Sequence, residues 1–237
     1  MKQNSMIFRV GASYITPRSD QISFVDDTFV FGDAFRARMD PDGEWGWYLS
    51  GEWRPLDHWG LELSYVNGDD HTGGNADGYF SFVDVYDRFN TNDGRFRDLG
   101  EFQSEMSAAN VKWYPMRPDC MVQPYIGLGI NYTDFSDESF TAIRRSDLRD
   151  VGLRSKLNMG YSWGYTWQAG VDFNFGHDSA WLVNLSAVYV DSETDMQFSV
   201  YDDGTNPDTA GTFESYSGDY NYNPWTFNIG VGYKFSF

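Results

Sequence analysis

The sequence predicts an all-β fold: an eight-stranded antiparallel transmembrane β-barrel with long extracellular loops, forming a single outer-membrane domain over residues 1–237. Three observations lead to this prediction. Apolar and polar residues alternate in eight segments with the period of a β-strand. The connections between these segments alternate long and short, as in outer-membrane barrels. Trp and Tyr lie near the segment ends, where barrels carry aromatic girdles that a soluble β-sandwich, the alternative fold, does not need.

The first four predicted strands are less regular than the last four. Residues 6–16 alternate apolar and polar side chains and end before Pro17, which cannot donate to a β-ladder. Residues 45–54 and 59–66 place Trp and Leu on one face and are joined by a short turn. Residues 106–114 alternate clearly only near their end.

The last four predicted strands cover residues 121–133, 162–175, 180–191 and 225–237. The final strand is the most regular, because one face is entirely apolar and the other is small or polar. Its apolar face consists of Trp225, Phe227, Ile229, Val231, Tyr233, Phe235 and Phe237. In a membrane barrel this face contacts lipid and the polar face lines the lumen.

The formal net charge of −18 lies in the long connections, and the predicted strands together are neutral. The connections at 17–44, 67–105 and 191–222 are acidic, whereas residues 134–160 carry equal numbers of acids and bases. Acidic loops argue against nucleic acid as a partner. The mean hydropathy is −0.53, and no run of eighteen apolar residues occurs, which excludes a transmembrane helix.

No pattern in the sequence indicates an enzyme, and we expect no metal or cofactor. Cys120 is the single cysteine, so neither an internal disulfide nor a multi-cysteine metal site can form. No HExxH, P-loop or GxSxG motif occurs, and the predicted topology separates His71 from the other two histidines. The three histidines are His58, His71 and His177. Asp202, Asp203 and Asp208 offer oxygen ligands for Ca²⁺, but their spacing is not that of an EF-hand, and we interpret them as solvated loop charge.

The second half of the sequence resembles the OmpW family of small outer-membrane barrels. The matching segments are Trp113-Tyr114, QPYIGLGINYTDF (123–135), SWG followed by QAGVDF (162–173), WLVNLSAVYVD (181–191) and NPWTFNIGVGYKF (223–235). A weaker resemblance covers FRVGASYITP (8–17) and Trp59-Gly60. The resemblance implies a barrel that passes small, mainly hydrophobic molecules without energy input, although some members are assigned small polar or ionic solutes. The C-terminal aromatics also resemble the signal recognised by the barrel-assembly machinery.

The sequence departs from the family pattern in two places. Members usually constrict the lumen with a bulky apolar residue on strand three and an aromatic on strand seven, and the matching positions are Ser64 and Val188. Many members carry Pro-Pro-Thr early in strand four, which breaks the ladder and helps to open the wall. The matching residues are Met106, Ser107 and Ala108, so a lateral exit needs another ladder-breaking feature.

Six inward-facing ionisable residues are expected to form a charge plug in the periplasmic half of the lumen: Arg9, Glu52, Glu62, Lys112, Asp172 and Lys234. Three acids and three bases in a narrow interior should pair, since an unpaired buried charge is costly. Two interpretations remain open. The network either only stabilises the barrel or also blocks straight passage, so that a hydrophobic solute leaves sideways into the bilayer.

Small residues are expected to line the outer half of the lumen: Gly127, Gly129, Asn131, Gly164, Ser186, Thr226 and Asn228. The glycines indicate either tight barrel curvature or room for a ligand. Aromatic residues in the long connections form either an apolar entrance or contacts with the barrel rim. They include Phe80, Phe82, Tyr86, Phe89, Phe135 and Phe140.

These observations favour passive uptake of a small hydrophobic or amphipathic molecule across the outer membrane of a Gram-negative bacterium. A narrow channel for polar or cationic solutes and a surface receptor acting through acidic loops are the alternatives. The expected partners are outer-membrane lipids, the solute and the barrel-assembly machinery, with both termini periplasmic. No signal peptide is visible after Met1, so an exported form would be a mature one.

Overall fold

The computed structural model describes residues 4–26, 35–77, 97–140, 152–175, 180–207, 210–211 and 213–236. These residues form fourteen β-strands: β1 (Ser5–Thr16), β2 (Asp20–Asp26), β3 (Phe35–Pro41), β4 (Glu44–Leu56), β5 (Trp59–Gly68), β6 (His71–Asp77), β7 (Arg97–Trp113), β8 (Val122–Phe140), β9 (Leu153–Met159), β10 (Ser162–Asn174), β11 (Trp181–Val190), β12 (Glu193–Asp202), β13 (Phe213–Asn221) and β14 (Trp225–Ser236). The described residues contain no helix long and apolar enough to cross a membrane.

Eight of these strands close into an antiparallel ring in the order β1-β4-β5-β7-β8-β10-β11-β14, and β14 pairs again with β1. The closing ladder runs from Ser5 opposite Ser236 to Thr16 opposite Trp225. The predicted eight-stranded barrel is therefore confirmed. We call this ring the barrel, the end with the short connections the turn end, and the opposite end the loop end.

The barrel faces lipid with large apolar side chains, because alternate residues of each strand point outwards. Leu63 is 70% exposed and Leu128 is 69% exposed. Trp53 and Trp59 lie at the turn end, and Trp45 lies at the loop end. The apolar surface thus has Trp at both borders, as expected for a membrane-spanning barrel.

The long connections were predicted as polar loops, and this prediction needs correction for the residues that the structure describes. Six further strands, β2, β3, β6, β9, β12 and β13, continue the barrel strands after breaks of two or three residues. They join residues 97–104 of β7 and 134–140 of β8 in a second level, which we call the loop tier. Apolar residues such as Ile22 and Phe198 alternate with polar ones in these segments, but the many Asp, Gly and Ser residues obscure the period.

The loop tier is paired around its circumference except at one seam. Its ladders run from β7 through β6, β3, β2, β13 and β12 to β9. Within the described residues, no ladder joins β9 to residues 134–140 of β8, although these strands are neighbours. The Met159 backbone N–H donates to Glu138 Oε1 at 3.2 Å across this gap. We call the gap between β8 and β9 the seam.

Candidate functional site

Arg9 is the centre of a buried ionic network in the turn-end half of the lumen. Its Nη1 lies 2.8 Å from Glu52 Oε2 and 3.3 Å from Glu62 Oε2, and its Nη2 lies 2.6 Å from Asp172 Oδ2. Lys112 forms ion pairs with Glu62 and, at 3.7 Å, with Glu52. The structure therefore brings together five of the six charged residues expected in the plug. We call these five residues with Arg54 the charge cluster.

The register of the strands explains why two cations are needed here. Glu52 on β4 lies directly opposite Glu62 on β5, and like charges in such a pair repel each other. Arg9 contacts both carboxylates, and Lys112 approaches both from β7. The charges therefore neutralise one another inside the narrow lumen, where an unpaired charge would be costly.

Neutral side chains that were absent from the sequence-based list complete the hydrogen bonds of the three acids. The Tyr114 hydroxyl donates to Glu52 at 2.8 Å, Gln168 Nε2 donates to Glu62 at 3.0 Å, and Asn184 Nδ2 donates to Asp172 at 2.8 Å. Gln168 and Asn184 have inward parity on β10 and β11, which is the sequence signal for them. Tyr114 directly follows the last residue of β7 and continues the inward parity of Lys112, so it carries the same signal.

Lys234 was expected in the plug, and the structure corrects this expectation. It is half-buried, and the described residues place no carboxylate within ion-pair distance of it. Arg54 is the additional cation instead, with its Nε 3.8 Å from Glu52 Oε1 and its guanidinium 3.3 Å above the Tyr114 ring. The parity of Glu52 predicts an inward Arg54, but Arg54 was treated as the end of a strand. The strand in fact continues to Leu56.

A small cavity lies between the charge cluster and the loop tier. The cavity has a volume of about 30 Å³, which is room for a few water molecules. Polar and apolar residues share its wall. They include the expected constriction residues Ser64 and Val188, the expected lining residues Asn131, Ser186, Thr226 and Asn228, and Val66, Met106 and Val190. The lumen is thus nearly closed at this level.

The three glycines expected in the outer-lumen lining do not border this cavity. A Cβ at Gly127 would meet the Gln168 side chain, one at Gly129 would meet Asn110, and one at Gly164 would meet the backbone carbonyl of Asp191. Neighbouring groups already occupy the space that these glycines leave. The expectation that they provide room for a ligand therefore needs correction, because they allow close packing of a small barrel.

An apolar cluster covers the cavity on its loop-end side. Phe102 is fully buried, with ring centroids 5.4 Å from His71, 5.7 Å from Phe135 and 5.8 Å from Tyr222. Tyr220 packs on Phe102 at 6.4 Å. We call these five residues the aromatic roof. Of the aromatic residues expected at an entrance, Phe135 lies in the roof, Phe140 ends β8, and Phe80, Phe82, Tyr86 and Phe89 lie outside the described residues.

Both ring nitrogens of His71 make polar contacts inside the roof. Its Nδ1 donates to the Asp42 carbonyl at 3.0 Å, and its Nε2 lies 3.1 Å from the Tyr222 hydroxyl. Tyr222 also donates to Ser104 Oγ at 2.7 Å. Burial lowers the pKa of His71 below its ordinary value, although the nearby Asp70 raises it in part. The roof therefore combines an apolar packing core with one internal hydrogen-bond network.

The wall is continuous where the family prolines are replaced. Met106, Ser107 and Ala108 pair with Val66, Tyr65 and Ser64 on β5, and with Thr133, Tyr132 and Asn131 on β8. Opening the wall here would break backbone hydrogen bonds on one side of β7. A ladder interruption lies instead at the seam, which begins beyond the pair Thr133 and Ser162.

Two of the acidic loop residues singled out for Ca²⁺, Asp202 and Asp203, accept hydrogen bonds within their own turn. The Asp203 carboxylate accepts hydrogen bonds from the Thr205 N–H at 2.9 Å and lies 2.8 Å from Arg154 Nη2, and these contacts hold the turn. Asp208 and His177 lie outside the described residues. Among the residues that the structure describes, no group of three His, Cys, Asp or Glu side chains could hold a metal ion.

A closed antiparallel ring with an apolar outer surface, Trp at both borders and a polar interior defines an outer-membrane β-barrel. The sequence profile of the OmpW family matches residues 94–235. The chain belongs to the OmpW family of Gram-negative outer-membrane barrels.

Two curated relatives match part of this chain. Outer membrane protein W of Vibrio cholerae is 33% identical over 142 residues, which are 60% of this chain and 57% of the relative. Outer membrane protein W of Escherichia coli K12 is 32% identical over 125 residues, 53% of this chain and 50% of the relative. The chain thus spans about half the length of these relatives.

The structural similarity extends over nearly the whole chain. The crystal structure of outer membrane protein OprG from Pseudomonas aeruginosa superposes with a TM-score of 0.71 at 22% identity, covering 99% of this chain and 97% of that one. The solid-state NMR structure of outer membrane protein AlkL in lipid bilayers has a TM-score of 0.50 at 14% identity, covering 97% and 90%. At these identities the similarity shows the fold.

Proposed function

We propose that the protein is a passive channel through which small hydrophobic or amphipathic molecules enter the outer membrane and leave sideways into the bilayer. In this arrangement the loop tier faces the cell exterior, and the short turns and both termini face the periplasm. The observation that carries the proposal is the order of interior surfaces. An apolar roof comes first, then a small amphipathic cavity, and then a charge cluster that fills the lumen.

The charge cluster opposes straight passage of an apolar molecule. Such a molecule would have to separate Arg9 from Glu52 and Asp172, whose contacts are 2.8 and 2.6 Å long. Removing one partner of a buried ion pair typically costs about 3–5 kcal/mol, because the charge left behind is poorly solvated. Pushing the two charges apart leaves both of them in that situation. An apolar solute supplies no compensating hydrogen bonds. A molecule that reaches the cavity should therefore leave by another route.

The seam supplies this route. Its inner side carries the buried apolar residues Phe135, Leu157 and Met159, and a hydrogen bond from the Met159 backbone N–H to the Glu138 side chain crosses it. Opening a β-ladder in the barrel would break several backbone hydrogen bonds, each with its own cost in lipid. Widening the seam breaks fewer such bonds.

The foot of the seam lies at the membrane border. Tyr132, Tyr161 and Trp163 form an aromatic group there, with ring centroids 5.7 Å apart for the two tyrosines and 5.1 Å apart for Tyr132 and Trp163. Tyr161 is 65% exposed and Trp163 is 66% exposed. Aromatic side chains with polar groups are favoured at the level of lipid headgroups. A solute leaving the seam would therefore meet the interfacial region of the outer leaflet.

The decisive experiment measures uptake of a fluorescent apolar solute by proteoliposomes. We expect faster uptake than by protein-free liposomes. No gain over those liposomes would refute the proposal.

A cross-link tests the seam itself. In a background with Cys120→Ser, the pair Glu138→Cys and Met159→Cys is joined across the seam with a short bifunctional methanethiosulfonate reagent, which bonds to each thiol through a reducible disulfide and releases sulfinate. The matched control joins Asp195→Cys and Asp219→Cys, which lie opposite each other in an intact ladder of the loop tier. We expect uptake to fall several-fold with the seam cross-link and to recover after reduction, while the control cross-link leaves uptake unchanged. Equal uptake with both cross-links would exclude the seam as the exit.

A narrow channel for small polar or cationic solutes is the second candidate. Two observations favour it: the cavity wall includes Ser50, Ser64 and Asn131, and an acidic surface lies beside the outer aromatic border. That surface comprises Asp191, Glu193, Asp195 and Asp219. Planar-bilayer recordings separate the two candidates, because steady cation-selective current without uptake of the apolar solute would favour this one.

A further inference from the structure

Arg54 is almost completely buried at the turn end of the lumen, yet much of its hydrogen-bonding capacity is unused. Only 2% of the residue is exposed. Its Nη1 donates to Gln123 Oε1 at 2.7 Å, but its Nε and Nη2 have no hydrogen-bond partner among the described residues. The closest carboxylate oxygen, Glu52 Oε1, lies 3.8 Å from Nε, which is an ion-pair distance but too long for a hydrogen bond.

The acids of the charge cluster are already engaged by other groups. Asp172 accepts hydrogen bonds from Arg9 and Asn184, and Glu62 accepts from Gln168 in addition to its contacts with Arg9 and Lys112. Glu52 accepts from Tyr114 and contacts Arg9. The hydrogen bonds of these acids are therefore directed to groups other than Arg54.

Lys234 is a second cation beside Arg54. Both residues flank β1, since Arg54 lies opposite Ser5 and Lys234 lies opposite Ile7. Lys234 is half-buried. Within the described lumen, four cations therefore accompany three acids. The four are Arg9, Arg54, Lys112 and Lys234, and the three are Glu52, Glu62 and Asp172.

We propose that Arg54 and Lys234 form a binding site for a small oxyanion, the phosphate or carboxylate group of a ligand that enters from the turn end. A guanidinium with two adjacent free N–H groups matches two oxygens of such an anion, and the ammonium supplies a point charge from the other side. One bound negative charge neutralises the surplus cation. It also satisfies the N–H groups of Arg54, whose burial without a partner is unfavourable.

Two sources of this group are distinguished by how they reach the site. Free phosphate would approach the site through water from the turn end, whereas a lipid phosphodiester would have to enter from the bilayer around the strand ends. Since Arg54 faces the lumen and is 2% exposed, the arrangement favours the water-soluble anion. The lipid source is tested as a separate arm.

The test follows thermal unfolding of the whole chain in maltoside micelles, which contain no phosphate. Inorganic phosphate is titrated against chloride at constant ionic strength. We expect a saturable rise of the unfolding temperature with phosphate. Lys234→Met should weaken the apparent affinity about tenfold, the effect of losing one charge-assisted contact. The matched control Lys156→Met removes an exposed lysine of β9 and should leave the affinity unchanged.

A second variant keeps the test informative if Arg54 is needed for folding. Arg54→Lys retains the charge but loses the paired N–H groups, so phosphate should bind more weakly to it than to the parent protein. In the lipid arm, a short-chain phosphatidylglycerol replaces phosphate. A saturable effect of the lipid alone, lost in Lys234→Met, would identify the lipid phosphodiester as the anion.

The proposal is overturned if neither phosphate nor phosphatidylglycerol produces a saturable shift, or if Lys234→Met responds like Lys156→Met. Because the measurement involves no transport, its failure leaves the uptake proposal untouched. Equally, the absence of uptake in liposomes would leave the anion site standing.

Discussion

The barrel and the loop tier are built on continuous strands, yet their interiors have opposite chemistry. Inside the barrel lie Arg9 and Glu52, each 1% exposed, while its outer face carries residues such as Leu63. Inside the loop tier lie Phe102 and Phe198, both fully buried. The outer face of the loop tier is polar and charged, with exposed Lys156, Asp195 and Asp219 among its residues.

This inversion shows that the surrounding solvent decides which side of the sheet is apolar. In lipid, the apolar face of a strand turns outwards and the polar groups pair inside. In water, the same strand pattern turns its apolar face inwards, as in a soluble protein. The change occurs at the strand breaks near Pro17, Gly43 and Gly160. The breaks therefore mark the loop-end border of the membrane, independently of the aromatic residues.

Removing the central cation of the barrel should have the largest effect. Arg9→Met leaves Asp172 without its principal partner and brings Glu52 and Glu62 closer to direct repulsion. Breaking a buried ion pair by removing one partner typically costs about 3–5 kcal/mol. We expect a loss of this size in the free energy of unfolding, measured by urea denaturation in lipid vesicles.

The matched control for Arg9→Met is Arg117→Met in a short turn. Arg117 forms an ion pair of 3.6 Å with Asp119, and both side chains are mostly exposed. Exposed ion pairs contribute little because water screens them. A loss after Arg9→Met no larger than the loss after Arg117→Met would contradict the view that the barrel interior depends on paired charges.

Removing an aromatic ring from the roof should destabilise the loop tier and leave the barrel intact. Phe102→Ala deletes a fully buried ring that contacts His71, Phe135, Tyr220 and Tyr222. We expect a local loss of about 3 kcal/mol, typical of a buried Phe deletion where neighbours relax in part.

Amide hydrogen exchange should locate the effect of Phe102→Ala. Exchange should accelerate in β6, β12 and β13 and stay unchanged in the barrel strands β1 and β14. The lipid-facing variant Leu128→Ala serves as the control and should not accelerate exchange in the loop tier. Acceleration throughout the chain would indicate that the barrel and the loop tier unfold as one unit, and would contradict the view that each has its own stabilising interior.

The stability of the loop tier should fall in mild acid because of His71. Burial lowers the folded-state pKa of His71 below its ordinary value of 6.5, so the unfolded chain binds more protons. The stabilisation is therefore complete above pH 6.5 and declines as the pH falls from there towards the folded-state pKa. His71→Gln cannot titrate and should remove this decline from exchange rates measured between about pH 7 and pH 5. An equal decline in both proteins would assign the pH dependence to other groups.

Much of the barrel could be predicted from alternation alone. Strands near Trp225 and Trp181 were placed within a residue or two, because lipid requires strict outward apolar faces. The loop tier was mistaken for loops, since water tolerates irregular composition on its outer face. Residues such as Phe198 and Tyr216 are buried there between Gln, Ser and Glu residues that conceal the period.

The lumen was predictable in composition but less so in geometry. The alternation along each strand identified Arg9 and Asp172 as inward-facing charges. The equal numbers of inward acids and bases predicted that they would form ion pairs. The absence of an ion pair at Lys234 depends on strand stagger around the ring, which no single strand encodes. Side chains on neighbouring strands likewise occupy the space beside the glycines, and no single strand predicts this. At Gly127, for example, the Gln168 side chain occupies that space.

A substitution on the outer face of the loop tier should have the smallest effect on stability. It tests whether this face is in contact with water. Asp195 and Asp219 lie directly opposite each other on β12 and β13, and both are exposed. A hydrogen bond with the Asp195 carboxyl raises the pKa of Asp219, because the proton relieves the repulsion between the two carboxylates. Because the folded chain holds this proton more tightly than the unfolded chain, the free energy of unfolding falls as the pH rises through the raised pKa. Asp219→Asn should therefore stabilise the loop tier at neutral pH by a few tenths of a kcal/mol, the usual scale of an exposed cross-strand pair.

The same substitution should lose its benefit in acid and in salt. Near the raised pKa the parent protein holds a proton between the two carboxyls, so the parent and Asp219→Asn should converge in stability as the pH falls. Added salt should reduce the difference at neutral pH, because water and ions screen exposed charges. A difference that persists at high salt would mean that this face is shielded from water, and the loop tier would then differ from the barrel in composition but not in solvent.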